Sequence, residues 1–123
     1  MSALKMGKVQ FRIMQVLWSR GRANAREITE DLNEISPIAH STVQTLLRKL
    51  EQKGTVDHDI EDRTFIFYAL VDRRNVTKYA YKEFVDRLFS GSASGLIAYL
   101  IKSEEIPAEE FEEIRSMIDE RDC

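Results

Sequence analysis

A chain of 123 residues, 43% of them hydrophobic and 32% charged, has the composition of one small globular domain, or of one domain with an appendage, and not of a disordered segment. It contains no apolar run of about 18 residues, and its start, Met-Ser-Ala-Leu-Lys-Met-Gly-Lys, lacks the apolar core of a signal peptide, so no membrane insertion and a cytoplasmic location are expected. The single cysteine, Cys123, excludes an internal disulfide and leaves only an adventitious link between chains.

The net charge of −3 at pH 7 weighs against a nucleic-acid partner, because such domains usually carry a basic footprint. The distribution answers part of that objection. Residues 1–54 hold nine Lys/Arg against five Asp/Glu, whereas residues 72–123 hold eight against twelve. The first part suits a polyanion, and the last part suits some other task.

Val9, Ile13, Val16 and Leu17 recur at helical spacing, with Met14 and Trp18 widening the stripe. This predicts a buried first helix over 9–20, with Trp18 as a core anchor and Gly21 as an αL stop. Asn24 and Glu27 make a capping-box pattern for a second helix from Ala25 to about Asn33, with Ile28, Leu32 and Ile35 on its apolar side. Ser36-Pro37 ends it, since proline disfavours αR in the residue before it.

The stretch from Ile38 to Gly54 has the most distinctive pattern. Val43, Leu46, Leu47 and Leu50 form one stripe of a helix over 40–53, stopped by Gly54. The opposite face carries Ser41, Thr42, Gln44, Thr45, Arg48, Lys49 and Gln52, with no carboxylate before Glu51. Gln pairs with adenine, a Thr methyl meets the thymine methyl, and Arg reaches guanine or phosphate, so these residues match what a major groove offers. Small and polar residues come first and cations follow, which suits a recognition helix entering by its N-terminal end. The same spacing also suits an ordinary amphipathic helix with a solvated face. Two helices joined by a short turn, the second with a polar outer face, follow the helix-turn-helix plan.

After Gly54 the period changes to two. Val56, His58 and Ile60 alternate with Asp57 and Asp59, and a second strand runs through Phe65, Phe67 and Ala69, with Glu61-Asp62-Arg63-Thr64 as the turn between. Such a hairpin after a recognition helix makes a wing. Arg63 is its only cation against Asp57, Asp59, Glu61 and Asp62, so Arg63 alone is expected to reach DNA there.

Three more helices are predicted from Asp72 onward. Val76, Ala80, Phe84 and Leu88 make one stripe, and Tyr81, Val85 and Phe89 a second beside it. The Gly/Ser-rich joint 90–95 precedes the apolar run Leu96 to Ile101, and Pro107 opens an acidic helix with Phe111, Ile114, Met117 and Ile118 in line. Three short helices cannot bury this much apolar surface alone. A two-fold homodimer through Tyr81, Phe84, Val85, Leu88, Leu96, Ile97, Leu100, Ile101, Phe111, Ile114 and Ile118 is therefore expected. The fold class is mainly α with a small two-stranded β wing: a winged helix-turn-helix over 1–71 and a helical dimerisation region over 72–123.

His40, His58 and Cys123 stand in no metal-ligand spacing, and neither a nucleophile–base pair nor a Gly-rich phosphate loop is found, so no metal, no cofactor and no enzymatic activity are expected. His40, just ahead of the recognition helix, suits either a phosphate contact or a solvent-exposed place beside the cap.

With these pieces in order the chain resembles the BlaI/MecI family of bacterial transcriptional repressors from about Gln10 to Asp119. The points of contact are Phe-Arg-Ile-Met-Gln-Val-Leu-Trp (11–18), Ser-Thr-Val-Gln-Thr-Leu-Leu-Arg-Lys-Leu-Glu-Gln-Lys-Gly (41–54) and Phe-Tyr-Ala-Leu-Val (67–71). The resemblance implies a homodimeric winged-helix repressor on a palindromic double-stranded operator, controlling genes of the β-lactam resistance type. It further implies relief of repression by a protease linked to a membrane sensor, with a cut in Leu96–Ile101 near Tyr99-Leu100. Members that are cut often have Asn before Phe there, where this chain has Tyr99 before Leu100. A copper-responsive branch carries a cysteine-rich tail, which the lone Cys123 does not match. Base-reading positions map onto Thr42, Gln44 and Thr45, with Ser41, Arg48 and Lys49 closer to the backbone, and Arg63, Asn24 and Arg26 as lesser phosphate contacts. Two other functions fit the same pattern: a winged-helix module that binds protein, or a repressor controlled by a small ligand.

Overall fold

The computed structural model describes residues 2–121, so Cys123 lies outside the described residues. In chain order the elements are α1 (Lys8–Arg20), β1 (Ala23–Asn24), α2 (Ala25–Asn33), α3 (His40–Gln52), β2 (Val56–Glu61), β3 (Thr64–Ala69), α4 (Arg73–Phe89), α5 (Ala93–Lys102) and α6 (Ala108–Arg121). They form two compact units, one up to Ala80 and one from Tyr81 onward, which part inside α4. The division expected after Val71 lies just before that helix begins.

In the first unit the core is made where the three apolar stripes meet. Ile13, Met14 and Leu17 of α1, Ile28 and Leu32 of α2, and Val43, Leu47 and Leu50 of α3 are buried together with Ala23, Val56 and Phe67 of the sheet. Each of the larger side chains among them contributes about 1.5–3 kcal/mol by leaving water. Ile35 does not join them. It follows the end of α2 and is 84% exposed, so the expected apolar stripe of that helix stops at Leu32.

Polar contacts lock the helices at their ends. Asn24 Oδ1 accepts from the Glu27 N–H at 2.8 Å while Glu27 Oε1 accepts from the Asn24 N–H at 2.9 Å, completing the capping box of α2. The Asn33 side chain spans the turn to α3, donating to the carbonyl of Ile38 (3.0 Å) and accepting from its N–H (3.1 Å). Gly21 ends α1 at φ 83°, ψ −49°, outside the expected αL region and open only to glycine. Trp18 is half-buried, and its Nε1 donates to the carbonyl of Val71 at 3.0 Å.

The sheet is antiparallel in the order β1-β3-β2. The wing thus has the two expected strands plus a third of two residues, which is too short to leave a period-two signal. Glu61 pairs with Thr64, so the turn is Asp62-Arg63 alone. Both carry positive φ, 49° and 68°, which is the geometry of a type I′ hairpin matched to the twist of its strands.

In the second unit, a turn at Ser90 and Gly91 ends α4, with the Gly91 N–H donating to the Val85 carbonyl at 3.1 Å. Ser92 then caps α5 through the Gly95 N–H at 2.9 Å. Phe89 packs edge-on against Tyr99, ring centres 5.9 Å apart. No residue of α5 or α6 is buried. Tyr81, Phe84, Leu88, Ile97, Leu100, Ile101, Phe111 and Ile118 are exposed, and Leu96 and Ile114 are half-buried. Val85 differs from the other expected contact residues: at 3% exposure it is already covered within one chain. Among the described residues no helix is long and apolar enough to cross a membrane.

Candidate nucleic-acid interface

The outer face of α3 is set by its inner one. With Val43, Leu47 and Leu50 fully buried, the 3.6-residue period leaves Ser41, Thr42, Gln44, Thr45, Arg48 and Lys49 all exposed on the other side. Ala39 stands at the N-cap of α3 and offers no side-chain cap, so the first N–H groups ahead of Thr42, which itself donates to the Ala39 carbonyl at 3.1 Å, are left for solvent or for an anion. Thr45 returns its hydroxyl to the Ser41 carbonyl at 3.0 Å, which leaves its methyl facing outward.

Between α3, the start of α2 and the wing runs an open groove of about 610 Å³. It brings together Asn24, Arg26, Gln44, Arg48 and Arg63, all expected from the sequence, and adds His40, with Glu51, Phe65 and Phe67 also in its wall. Ser41, Thr42, Thr45 and Lys49 stand on the exposed face outside it. The groove residues differ in how free they are. Among the described residues no ion pair involves Arg48, Lys49 or Arg63, whereas Arg26 reaches Glu30 at 3.4 Å and the Asn24 carbonyl oxygen is engaged by its cap. Arg48 and Arg63 therefore offer the groove its uncommitted positive charge.

The acidity of the wing is offset from a place that sequence spacing does not reveal. Arg22, in the bend before β1, puts Nη2 at 3.1 Å from Asp59 Oδ2 and 2.6 Å from Glu61 Oε2. One positive charge is thereby shared between two of the four wing carboxylates, which lowers the net negative charge of the wing without cancelling it. The partners are 37 and 39 residues away in the chain, and only β1 pairing with β3 brings them together. The Arg22 guanidinium is in turn held above its usual range, chiefly by its hydrogen bond to Glu61.

Further back, Arg20 grips Asp31 with two hydrogen bonds, 2.7 and 2.9 Å, and reaches Glu27 at 3.2 Å. That fork fixes the end of α1 against α2, on which α3 is packed. The Asp31 carboxyl is lowered from its ordinary range, first by the hydrogen bond from Arg20.

A buried three-helix platform, an exposed polar face on its third helix and a hairpin beside it make the fold a winged helix-turn-helix. Residues 6–120 match the family model described as penicillinase repressor, and the chain belongs to that family of transcriptional repressors, which are not enzymes. It is 22% identical over 117 residues to the methicillin resistance regulatory protein MecI of Staphylococcus aureus, covering 95% of each chain. Its fold is similar to the solution structure of the DNA-binding domain of the repressor BlaI, at 27% identity and a TM-score of 0.54 over 59% of this chain and 90% of that one. It is also similar to the monomeric form of Bacillus licheniformis BlaI bound to the blaP half-operator, at 27% identity and a TM-score of 0.51 over 58% of this chain and 87% of that one.

Proposed function

We propose that this repressor works in the cytoplasm as a homodimer on an inverted-repeat operator, reading bases with Thr42, Gln44 and Thr45 and gripping phosphates with Ser41, Arg48, Lys49 and Arg63, with Asn24 and Arg26 beside them. The observation that carries this is the exposed, carboxylate-poor face of α3 on a fully buried inner stripe, with Arg48 and Arg63, which form no ion pair among the described residues, lining one groove. The half-operator bound by the relative BlaI supports the same partner. On this reading the winged unit spans 1–71, and residues 72–123 join the protomers. Tyr81, Phe84, Leu88, Ile97, Leu100, Ile101, Phe111 and Ile118 supply exposed apolar surface for that contact. Two recognition helices must then meet major grooves about 34 Å apart or a multiple of that.

Relief of repression by proteolysis near Tyr99-Leu100, under a membrane sensor answering a β-lactam, belongs to the same reading. Tyr99 is exposed but lies within α5, so a protease reaches an extended backbone there only after that helix opens.

Selection of bound fragments from a random DNA pool, then titration at two salt concentrations, tests the proposal. An inverted repeat bound far above a scrambled control is expected, by a species that sediments as a dimer. No enrichment, or a monomer at binding concentrations, overturns it.

A further inference from the structure

Glu51 lies in the last turn of α3, and Asp57 and His58 stand near the start of β2, so the loop at Gly54 folds two elements of the DNA-binding unit onto one spot. One donor atom from each of the three residues lies within 4.8 Å of the others. His58 Nδ1 is in direct contact with Glu51 Oε1 and lies 3.9 Å from Asp57 Oδ1. The imidazole is not free to turn away. It is half-buried and stacked on Phe65, ring centres 3.9 Å apart and planes within 9°, with Phe67 on its other flank at 5.7 Å.

We propose that Glu51, Asp57 and His58 form a site for a zinc-class divalent cation, and that the ion acts as a corepressor by clamping the recognition helix to the wing. A simple ion pair uses one carboxylate on one imidazole. Here a second carboxylate oxygen, Asp57 Oδ1, lies 3.9 Å from the same nitrogen while accepting from the His58 backbone N–H at 2.8 Å, so one imidazole nitrogen and two carboxylate oxygens stand close enough to share one ion, with a fourth tetrahedral position left for water. That donor set fits Zn²⁺ and its mimic Co²⁺ better than Mg²⁺ or Ca²⁺, which prefer oxygen alone. On binding, Nδ1 gives its lone pair to the ion, the Glu51–His58 hydrogen bond is lost, and any proton on Nδ1 moves to Nε2 or to solvent.

The consequence for DNA follows from position. Glu51 is part of the wall of the groove that holds Gln44 and Arg48. A divalent cation offsets the charge of Glu51 in that wall and of Asp57 further along the chain, so phosphates meet less repulsion, and it fixes the angle of the wing to α3. This second half rests on the repressor reading; the binding site itself does not.

The test uses the full chain in two arms. Titration with Co²⁺, read by visible absorption, and with Zn²⁺ by calorimetry, should show saturable uptake of one ion per chain without DNA. Glu51→Gln, Asp57→Asn and His58→Gln should each abolish it, with circular dichroism confirming the fold; Asp57 is exposed, so D57N is the safest of the three. Absence of uptake, or uptake that survives all three substitutions, overturns the site. In the second arm, Zn²⁺ should raise operator affinity several-fold over a chelator in the parent chain and leave D57N unchanged. Uptake with no change in affinity overturns the corepressor role. Failure to select any operator counts against the repressor reading and leaves the outcome of the first arm standing.

Discussion

The guanidinium of Arg22 lies 2.6 Å from Glu61, at the far end of β2 beside the turn that carries Arg63. An exposed pair of this kind contributes little to stability, because solvent screens it. Its larger effect is on the field that DNA meets. Arg22→Ala should leave the fold intact and weaken binding to every sequence, because Asp59 and Glu61 regain their full charge. Adding Asp59→Asn and Glu61→Gln to that variant should restore the affinity, as read by fluorescence anisotropy on a labelled duplex. Equal affinity of parent and Arg22→Ala would remove Arg22 from the interface.

Gln44 and Arg48 stand one turn apart on α3 and should fail differently. If Gln44 makes a bidentate adenine contact, Gln44→Ala costs roughly 1–3 kcal/mol on the operator and relaxes preference at one base pair. Arg48→Ala should weaken operator and scrambled DNA alike and reduce the salt slope by about one unit. Competition titrations at several salt concentrations distinguish the two, and the reverse pattern would exchange their roles.

Arg63 holds φ 68°, in the left-handed region. A residue with a Cβ pays roughly 1–2 kcal/mol there, and glycine does not, although its freer unfolded chain takes back about 0.5–1 kcal/mol. Arg63→Gly should therefore hold or raise Tm while lowering DNA affinity and flattening the salt dependence. A drop in Tm would mean the side chain supports the hairpin through a contact other than charge.

Asp31 should make stability pH-dependent. Its folded carboxyl titrates below the unfolded value, chiefly because Arg20 hydrogen-bonds the ionised form. The stabilisation is thus present above the unfolded pKa of about 3.9 and lost as pH falls through the folded one. Urea unfolding should find Asp31→Asn less stable than the parent at pH 7, with the gap closing as the pH drops into the carboxylate range. A gap that persists at low pH would point to packing rather than charge.

What the sequence made legible was whatever repeats locally. The capping pair Asn24 and Glu27 placed the start of α2 and Ser36-Pro37 bounded its end, and the stripe through Val43, Leu47 and Leu50 placed the polar face of α3 on its solvent side. The family relationship followed from three such local stretches, 11–18, 41–54 and 67–71. Contacts between distant residues were not legible. β1 is too short for a pattern, Arg22 meets its partners only through β1–β3 pairing, and the Asn33 amide that sets the turn before α3 looks like any polar residue near a helix end. Ile35 misled for a related reason: it continues the helical spacing after the backbone has left the helix. His40 joined the groove because the chain folds α2 and the wing toward it, and Glu51 meets His58 and its neighbour Asp57 because a turn at Gly54 reverses the chain between α3 and β2.

Trp18 is the only tryptophan in the chain, and its indole N–H is held by the carbonyl of Val71, where the polypeptide leaves the wing. Both residues lie in the same compact unit, so its emission is a built-in optical gauge for that unit alone. Followed during denaturation beside far-ultraviolet ellipticity, which sums all six α-helices, it tells whether the reading head melts together with the rest of the chain or on its own.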